Sequence, residues 1–246
     1  MSTTTPPHPL RLPGQAAAPE GPLDLTMTYL MHHAFRRDLS GFAAAVPHTP
    51  VAEVATWRAL QRRWDLFAEL LHHHHRAEDT WVWPALMAGA DAAEQQTLRA
   101  VAAEHEQLDP LLEACAAGLR RLAEGRGGAD DRAALVVRVC AARESLGRHL
   151  AHEEREAIAI LQRHLGAEEW RVVETAVNGR RPGLRLAVDA VPWLLHQLPS
   201  AVRREVLGGA DPAHRLVWRL SHRRFERLDR RALRHVPAHL PGHPPA

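Results

Sequence analysis

The chain lacks lysine altogether: all 31 of its fixed positive charges are arginine, against 29 acids, for a formal charge of +2. That substitution points to the base composition of the coding sequence and not to a mechanism. A near-neutral total excludes a general nucleic-acid binder or an acidic tail protein. Cysteine is nearly absent too, with only Cys115 and Cys140. Both lie in alanine-rich helical surroundings, so they read as free thiols of a reducing compartment and not as a disulfide framework. No apolar run approaches the ~20 residues of a membrane span. Prolines stand near the N-terminus where a signal peptide would need an apolar core, so the cytoplasm is the expected location.

What the chain has in excess is histidine, 18 residues. His8, His235, His239 and His243 fall in proline-rich tails and are expected to face solvent. The others sit at helical positions. Residues 1–22, rich in Pro, Thr, Ala and Gly, cannot bury a core and are expected to be a disordered tail. The spacing then predicts four long helices, over about 24–46, 51–87, 91–124 and 131–165. Asp24 and Asp130 are candidate N-caps, and Pro47, Gly89, the Gly-rich break 125–128 and Gly166 are stops. Pro84 should end or kink the second helix, and Pro110 should kink the third.

Four long helices on short loops read as an up-down antiparallel bundle over 23–166. Beyond it the chain breaks into shorter pieces. Residues 167–235 form a helical C-terminal extension with helices near 168–178, 200–207 and 212–234, and 236–246 form a second disordered tail. Over residues 203–235 ten arginines against four acids give +6, leaving −4 for the rest. The plain reading is a solvated face over an apolar stripe of Leu216, Leu220, Phe225 and Leu228. The functional readings are a docking patch for a protein partner, an acidic lipid surface or nucleic acid, the last disfavoured because no helix-turn-helix pattern is present.

The chemistry concentrates at residues 70–84, where His72-His73-His74-His75 precede Glu78 and Asp79. Residues four apart share a helix face, so His74 and Glu78 point the same way. His149 and Glu153 repeat the pattern, and Asp109 stands four after His105. Counting residues to the shared turns puts His74, His105 and His149 at one height, while His32 fits less well. His72, His73 and His75 are read as pointing elsewhere. Four inward histidines and at least two carboxylates make a dinuclear ligand count, and burying those acids without a cation would cost several kcal/mol each.

The segments Met31-His32-His33-Ala34-Phe35, His74-x-x-x-Glu78-Asp79-x-x-x-Trp83-Pro84, Glu104-His105-x-x-Leu108 and His149-x-x-His152-Glu153-Glu154 resemble the hemerythrin-like (HHE cation-binding) family over about 24–165. The resemblance implies an all-α bundle with an oxo- or hydroxo-bridged non-haem di-iron pair, manganese or zinc being alternative metals. His32, His74, His105 and His149 would be terminal ligands, and Glu78 and Glu153 bridges, with Glu154 competing for the role of Glu153. The family's oxygen carriers place a fifth histidine where this chain has Asp109. Asp109 as an anionic ligand, or an open position, should favour the ferric state and weaken reversible dioxygen binding. Trp81 and Trp83 stand near enough to shield the site. The implied function is binding or sensing of dioxygen, nitric oxide or peroxide, or iron handling. The alternatives are a peroxide-consuming or ferroxidase-type enzyme, or an interaction module working through the arginine-rich helix.

Overall fold

Apolar residues at three- and four-residue steps give each helix a stripe to bury, and the described chain is helical with no strand. The structure is a computed structural model describing residues 8–179 and 184–240. The long helices are α1 (Thr26–Ala45), α2 (Val54–Ala77), α4 (Ala92–Ala123) and α5 (Ala129–His152). Short helices α3 (Trp83–Met87) and α6 (Ile158–His164) continue α2 and α5. The rest comprises α7 (Ala167–Gly179), α8 (Leu184–Leu195), α9 (Ser200–Gly209) and α10 (Pro212–Ala232).

Local chemistry explains most ends. The Asp24 carboxylate accepts from the Thr26 N–H at 2.9 Å. Asp91 accepts from the N–H groups of Ala93 and Glu94, while Glu94 accepts from that of Asp91, a reciprocal capping box. Gly125 supplies the positive φ of +73° that closes α4. The expected cap at Asp130 is displaced: α5 starts at Ala129, and Asp131 accepts from the Gly128 N–H. Pro110 does not interrupt α4, which runs 32 residues through it. Pro110 lies on the exposed side, so water can satisfy the carbonyl that loses its partner.

Two expected helices are not continuous. A π-helical turn, Glu78–Val82, separates α2 from α3, and a second, Glu153–Ala157, separates α5 from α6. Each begins at a glutamate four residues after a histidine. Pro84 then falls in the first turn of α3, where a missing N–H costs little. The expected break at Pro182-Gly183 lies outside the described residues, and α8, with Pro192 inside it, is a helix where only short apolar pieces were expected.

The chain divides into two compact units, and α1, α2, α4 and α5 each contribute a segment to both. The first unit comprises Met1–Arg36, Leu71–Leu112 and Ala141–Arg181. Its core joins Leu23, Leu25 and Tyr29 to Val82, Trp83, Leu86, Leu98, Val101, Ile158 and Leu161. The described part of the expected N-terminal tail is ordered against this unit, contrary to expectation. Leu12 and Ala18 are buried, and the Gln162 amide both accepts from the Leu23 N–H and donates to its carbonyl. Gly21 sits so close to Gln162 that a Cβ there would overlap it. These residues bury against the first unit's core and need none of their own.

The second unit comprises Arg37–Leu70, Glu113–Cys140 and Pro182–Ala246. Phe42, Trp64 and Phe67 pack ring on ring, with centroids 5.2 to 6.0 Å apart. Beside them runs a buried ionic network. Arg63 donates to Asp38 at 2.9 Å and to Asp229 at 3.1 Å, Trp193 Nε1–H donates to Asp38, and His196 Nε2 lies 3.0 Å from Asp229. Arg37 donates to the carbonyls of Trp193 and His196. These bonds tie α8 and α10 to α1 and α2. The second expected tail is also partly built in, since Val236 is buried. Cys115 and Cys140 are free, as expected, and burial pushes the Cys115 thiol up to about 12.

Asp229→Ala strands Arg63 and His196 in the interior. The expected loss is about 3–5 kcal/mol of stability, read from the midpoint and slope of urea unfolding. A change within ~0.5 kcal/mol would show that the network contributes nothing to holding the C-terminal helices.

Candidate metal centre

Two groups of ligand-type side chains meet inside the first unit. His32, His74, Glu78 and Glu153 form one, and His75, His105 and His149 the other; within each, one ligand atom per residue lies within 4.8 Å of all the rest. Of these seven, His74 is half-buried and the other six are buried.

The residues arrive from all four long helices and both π turns. α1 brings His32, α2 brings His74 and His75, α4 brings His105 and α5 brings His149. Glu78 and Glu153 stand at the first position of the two π-helical turns. A π turn inserts extra backbone without ending the helix, and such bulges gather at functional sites. The His-x-x-x-Glu echo is therefore also an echo in backbone geometry.

Glu78 reaches both groups. Its Oε1 lies 3.1 Å from His74 Nε2 and its Oε2 3.7 Å from His105 Nε2. Glu153 Oε2 lies 3.3 Å from His32 Nε2. The rings themselves are packed together. His32 and His74 are edge-to-face at 5.2 Å, His75 stacks on His105 at 3.9 Å and 8°, and His149 meets both edge-on.

Three of the imidazoles are held from behind by carboxylates. His32 Nδ1 lies 2.9 Å from Glu154, His105 Nδ1 3.0 Å from both oxygens of Asp79, and His149 Nδ1 2.9 Å from Glu104. An ionised carboxylate only accepts, so each Nδ1 carries a hydrogen; Nε2 of His105 and His149 keeps its lone pair for the interior, and Nε2 of His32 offers one there once its second proton leaves. Glu104 also takes the Nδ1–H of His152 at 2.9 Å. Glu154 is committed fully: beyond His32 it accepts a bidentate pair from Arg36 at 2.6 and 2.9 Å and the Ala16 N–H at 2.6 Å.

The inward atoms are the unsatisfied ones. Nε2 of His75, His105 and His149, and Oε2 of Glu78 and Glu153, are buried without a hydrogen-bond partner. Each such orphan costs about 1–3 kcal/mol, and native interiors hold few of them. Five converging on one place fit a cation, and imidazole with carboxylate suits iron, manganese or zinc.

The charge state without metal is lopsided. Burial, then the charge of Glu153 alongside, raises Glu78 well above the usual carboxylate range. Burial opposes ionisation of Glu153 as well, but His32 and then His74 outweigh it and hold this carboxyl low. Burial lowers His32, yet Glu153 and Glu154 outweigh it and raise the imidazole to about 9. His74 is pushed down to about 3, by burial and then by His32. His75 is pushed far down, by burial and then by His105. The only tyrosine, Tyr29, packs beside this cluster with its hydroxyl unpartnered, and burial followed by the charges of Glu154 and Glu153 pushes it up to about 12.

The comparisons agree with the geometry. The family model for the hemerythrin HHE cation binding domain matches residues 25–169. The chain belongs to the hemerythrin HHE cation-binding family. No curated protein and no solved structure matched the chain.

Against this family the expected residues sort clearly. His32, His74, Glu78, His105, His149 and Glu153 are brought together. Glu154 is buried but turned to His32 Nδ1 and Arg36, away from both groups. Asp109 is exposed and belongs to neither. Trp81 is exposed, whereas Trp83 is buried in the core. The residue the sequence reading set aside is His75. Neighbours on a helix differ by about 100°, which placed it off the stripe of His74, but two groups lie side by side and consecutive residues can address one each. Glu104, adjacent to His105, was also missed as a holding group. Its signal was the His149-x-x-His152 pair, one turn apart and facing one carboxylate.

A cation must displace the proton that His32 holds up to about pH 9 and the one on Glu78. Affinity should therefore rise with pH between 6 and 9, by about tenfold per unit for each proton released. Competition against a chromophoric chelator at pH 6, 7 and 8 reads this directly, and a flat profile would contradict the protonation pattern.

Proposed function

We propose that α1, α2, α4 and α5 form an up-down bundle around a two-ion centre and that the chain is a non-haem di-iron protein that binds or senses dioxygen, nitric oxide or peroxide. The observation that carries this reading is the pair of adjoining ligand groups, five histidines and two glutamates, with Glu78 reaching both. His32 and His74 would hold one ion and His75, His105 and His149 the other, with Glu78 and Glu153 between them. A pair of iron ions there would supply the electrons for reversible binding or reduction of a small oxidant. The protein's part is positional. Glu154, Asp79 and Glu104 fix three rings with Nε2 inward, and the buried Phe35 ring packs 5.4 Å from that of His74.

With His75 supplying the fifth imidazole, the argument from Asp109 against reversible dioxygen binding no longer applies. In this reading the bundle domain spans residues 23–166, close to the 25–169 that match the family, with residues 167–235 as an extension. A cytoplasmic setting is consistent with the two free thiols.

A second reading has one observation in its favour. Glu104 joins His149 Nδ1 to the partly exposed His152, a route by which a proton could reach the site from solvent. Peroxide turnover needs such a supply, and simple carriage does not.

One titration separates the readings. Iron-loaded protein, reduced without air, is exposed to dioxygen and then degassed while its visible spectrum is followed. Binding or sensing predicts a spectrum that changes on exposure and returns on degassing, with peroxide consumed no faster than by free iron. Catalysis predicts sustained peroxide loss that falls at least tenfold in His152→Ala. No spectral response to dioxygen, nitric oxide or peroxide would reject both.

A further inference from the structure

The C-terminal helix α10 has an inner face settled by its contacts. Ser221, Phe225, Asp229 and Ala232 are buried, and Phe225 lies against the Arg63 guanidinium, 4.4 Å from ring centre to carbon. At about 100° per residue the opposite face carries Leu216, Leu220, Arg219, Arg223, Arg227 and Arg230, and Arg234 follows in the turn after the helix. The two leucines, one turn apart, are 56% and 76% exposed. An exposed leucine is unremarkable alone, but two stacked within an arginine stripe form an amphipathic contact surface.

The stripe is short of counter-charge. Arg224 pairs with Asp189 at 3.2 Å and Arg234 approaches Glu53 at 3.9 Å. Arg219, Arg223, Arg230 and Arg231 have no ion pair among the described residues. Of the acids on and capping the helix, Asp229 is buried in the ionic network and Asp211 caps the N-terminus, which leaves Glu226, half-buried on the flank, as the acid beside the stripe. The outward face is therefore cationic with an apolar centre near its first half.

We propose that this face docks on an anionic lipid bilayer surface, with Leu216 and Leu220 entering the boundary between headgroups and acyl chains. Guanidinium groups match headgroup phosphates bidentately, and their aliphatic stems can lie along the apolar boundary while the charge stays in water. A nucleic-acid backbone would satisfy the arginines equally, but it offers nothing for two exposed leucines. The helix lies in the interface plane and does not cross, since none of the described helices is long and apolar enough to span a membrane.

Co-sedimentation of the full chain with phosphatidylcholine vesicles, and with vesicles one-quarter phosphatidylglycerol, tests the proposal. The chain should bind the anionic vesicles only, and less tightly as salt rises. Arg219→Gln with Arg223→Gln and Arg227→Gln should weaken binding on the order of 100-fold. Leu216→Ser with Leu220→Ser, both exposed and harmless to the inner face, should weaken it about tenfold. Unchanged helicity by circular dichroism would show that these variants fold. Absence of binding to anionic vesicles at low salt overturns the proposal. So does binding that ignores the leucine substitutions, or tighter binding to duplex DNA than to vesicles, since either leaves only a site for polyanions.

Discussion

Buried lone pairs facing one another set the terms for this molecule. Three imidazole nitrogens and two carboxylate oxygens point into a shared interior with no partner. In an apolar interior that arrangement repels and is poorly solvated, and a cation is the natural compensation. The surrounding features serve to keep the arrangement in place. Carboxylates behind the rings fix which nitrogen faces inward, Arg36 and the Ala16 N–H hold the carboxylate behind His32, and the two π turns begin at Glu78 and Glu153, which join the histidine cluster. The N-terminal segment joins this scheme directly, because Ala16 is one of its members.

The two units divide the work. The first carries the ligands, and the second carries aromatic packing and a buried network of Arg37, Asp38, Arg63, His196 and Asp229 that fastens α8 and α10. Such a network gains stability only when complete, because removing one member leaves another charge buried alone. That requirement explains why the arginines on the inner side of the second unit are paired while several on the outer face of α10 are not. The same residue type is structural in one place and available for an outside partner in the other.

Much of this was legible in the sequence. Helical periodicity gave the long helices, and the repeated His-x-x-x-Glu spacing with its neighbours gave the family and named six of the seven ligand-type residues that cluster. The failures have physical causes. His75 was discarded by a wheel that assumed one target, when two adjoining groups let consecutive histidines serve one each. Asp109 was included on spacing alone, and spacing does not say which way the shared face turns. The π turns leave no trace in a 3.6-residue pattern until the backbone is seen. The tail at 8–22 read as disordered because it has no core of its own, yet Leu12 and Ala18 bury against the bundle. Glu104 and Arg36 hold ligands from a distance in sequence that no local motif records.

The most direct measurement is metal content per chain in protein purified without a tag from iron-replete medium, for the unaltered sequence and for His75→Ala. The account predicts two ions per chain in the first and about one in the second, with the fold retained in both. Fewer than one ion in the unaltered chain, or two ions in His75→Ala, would contradict it.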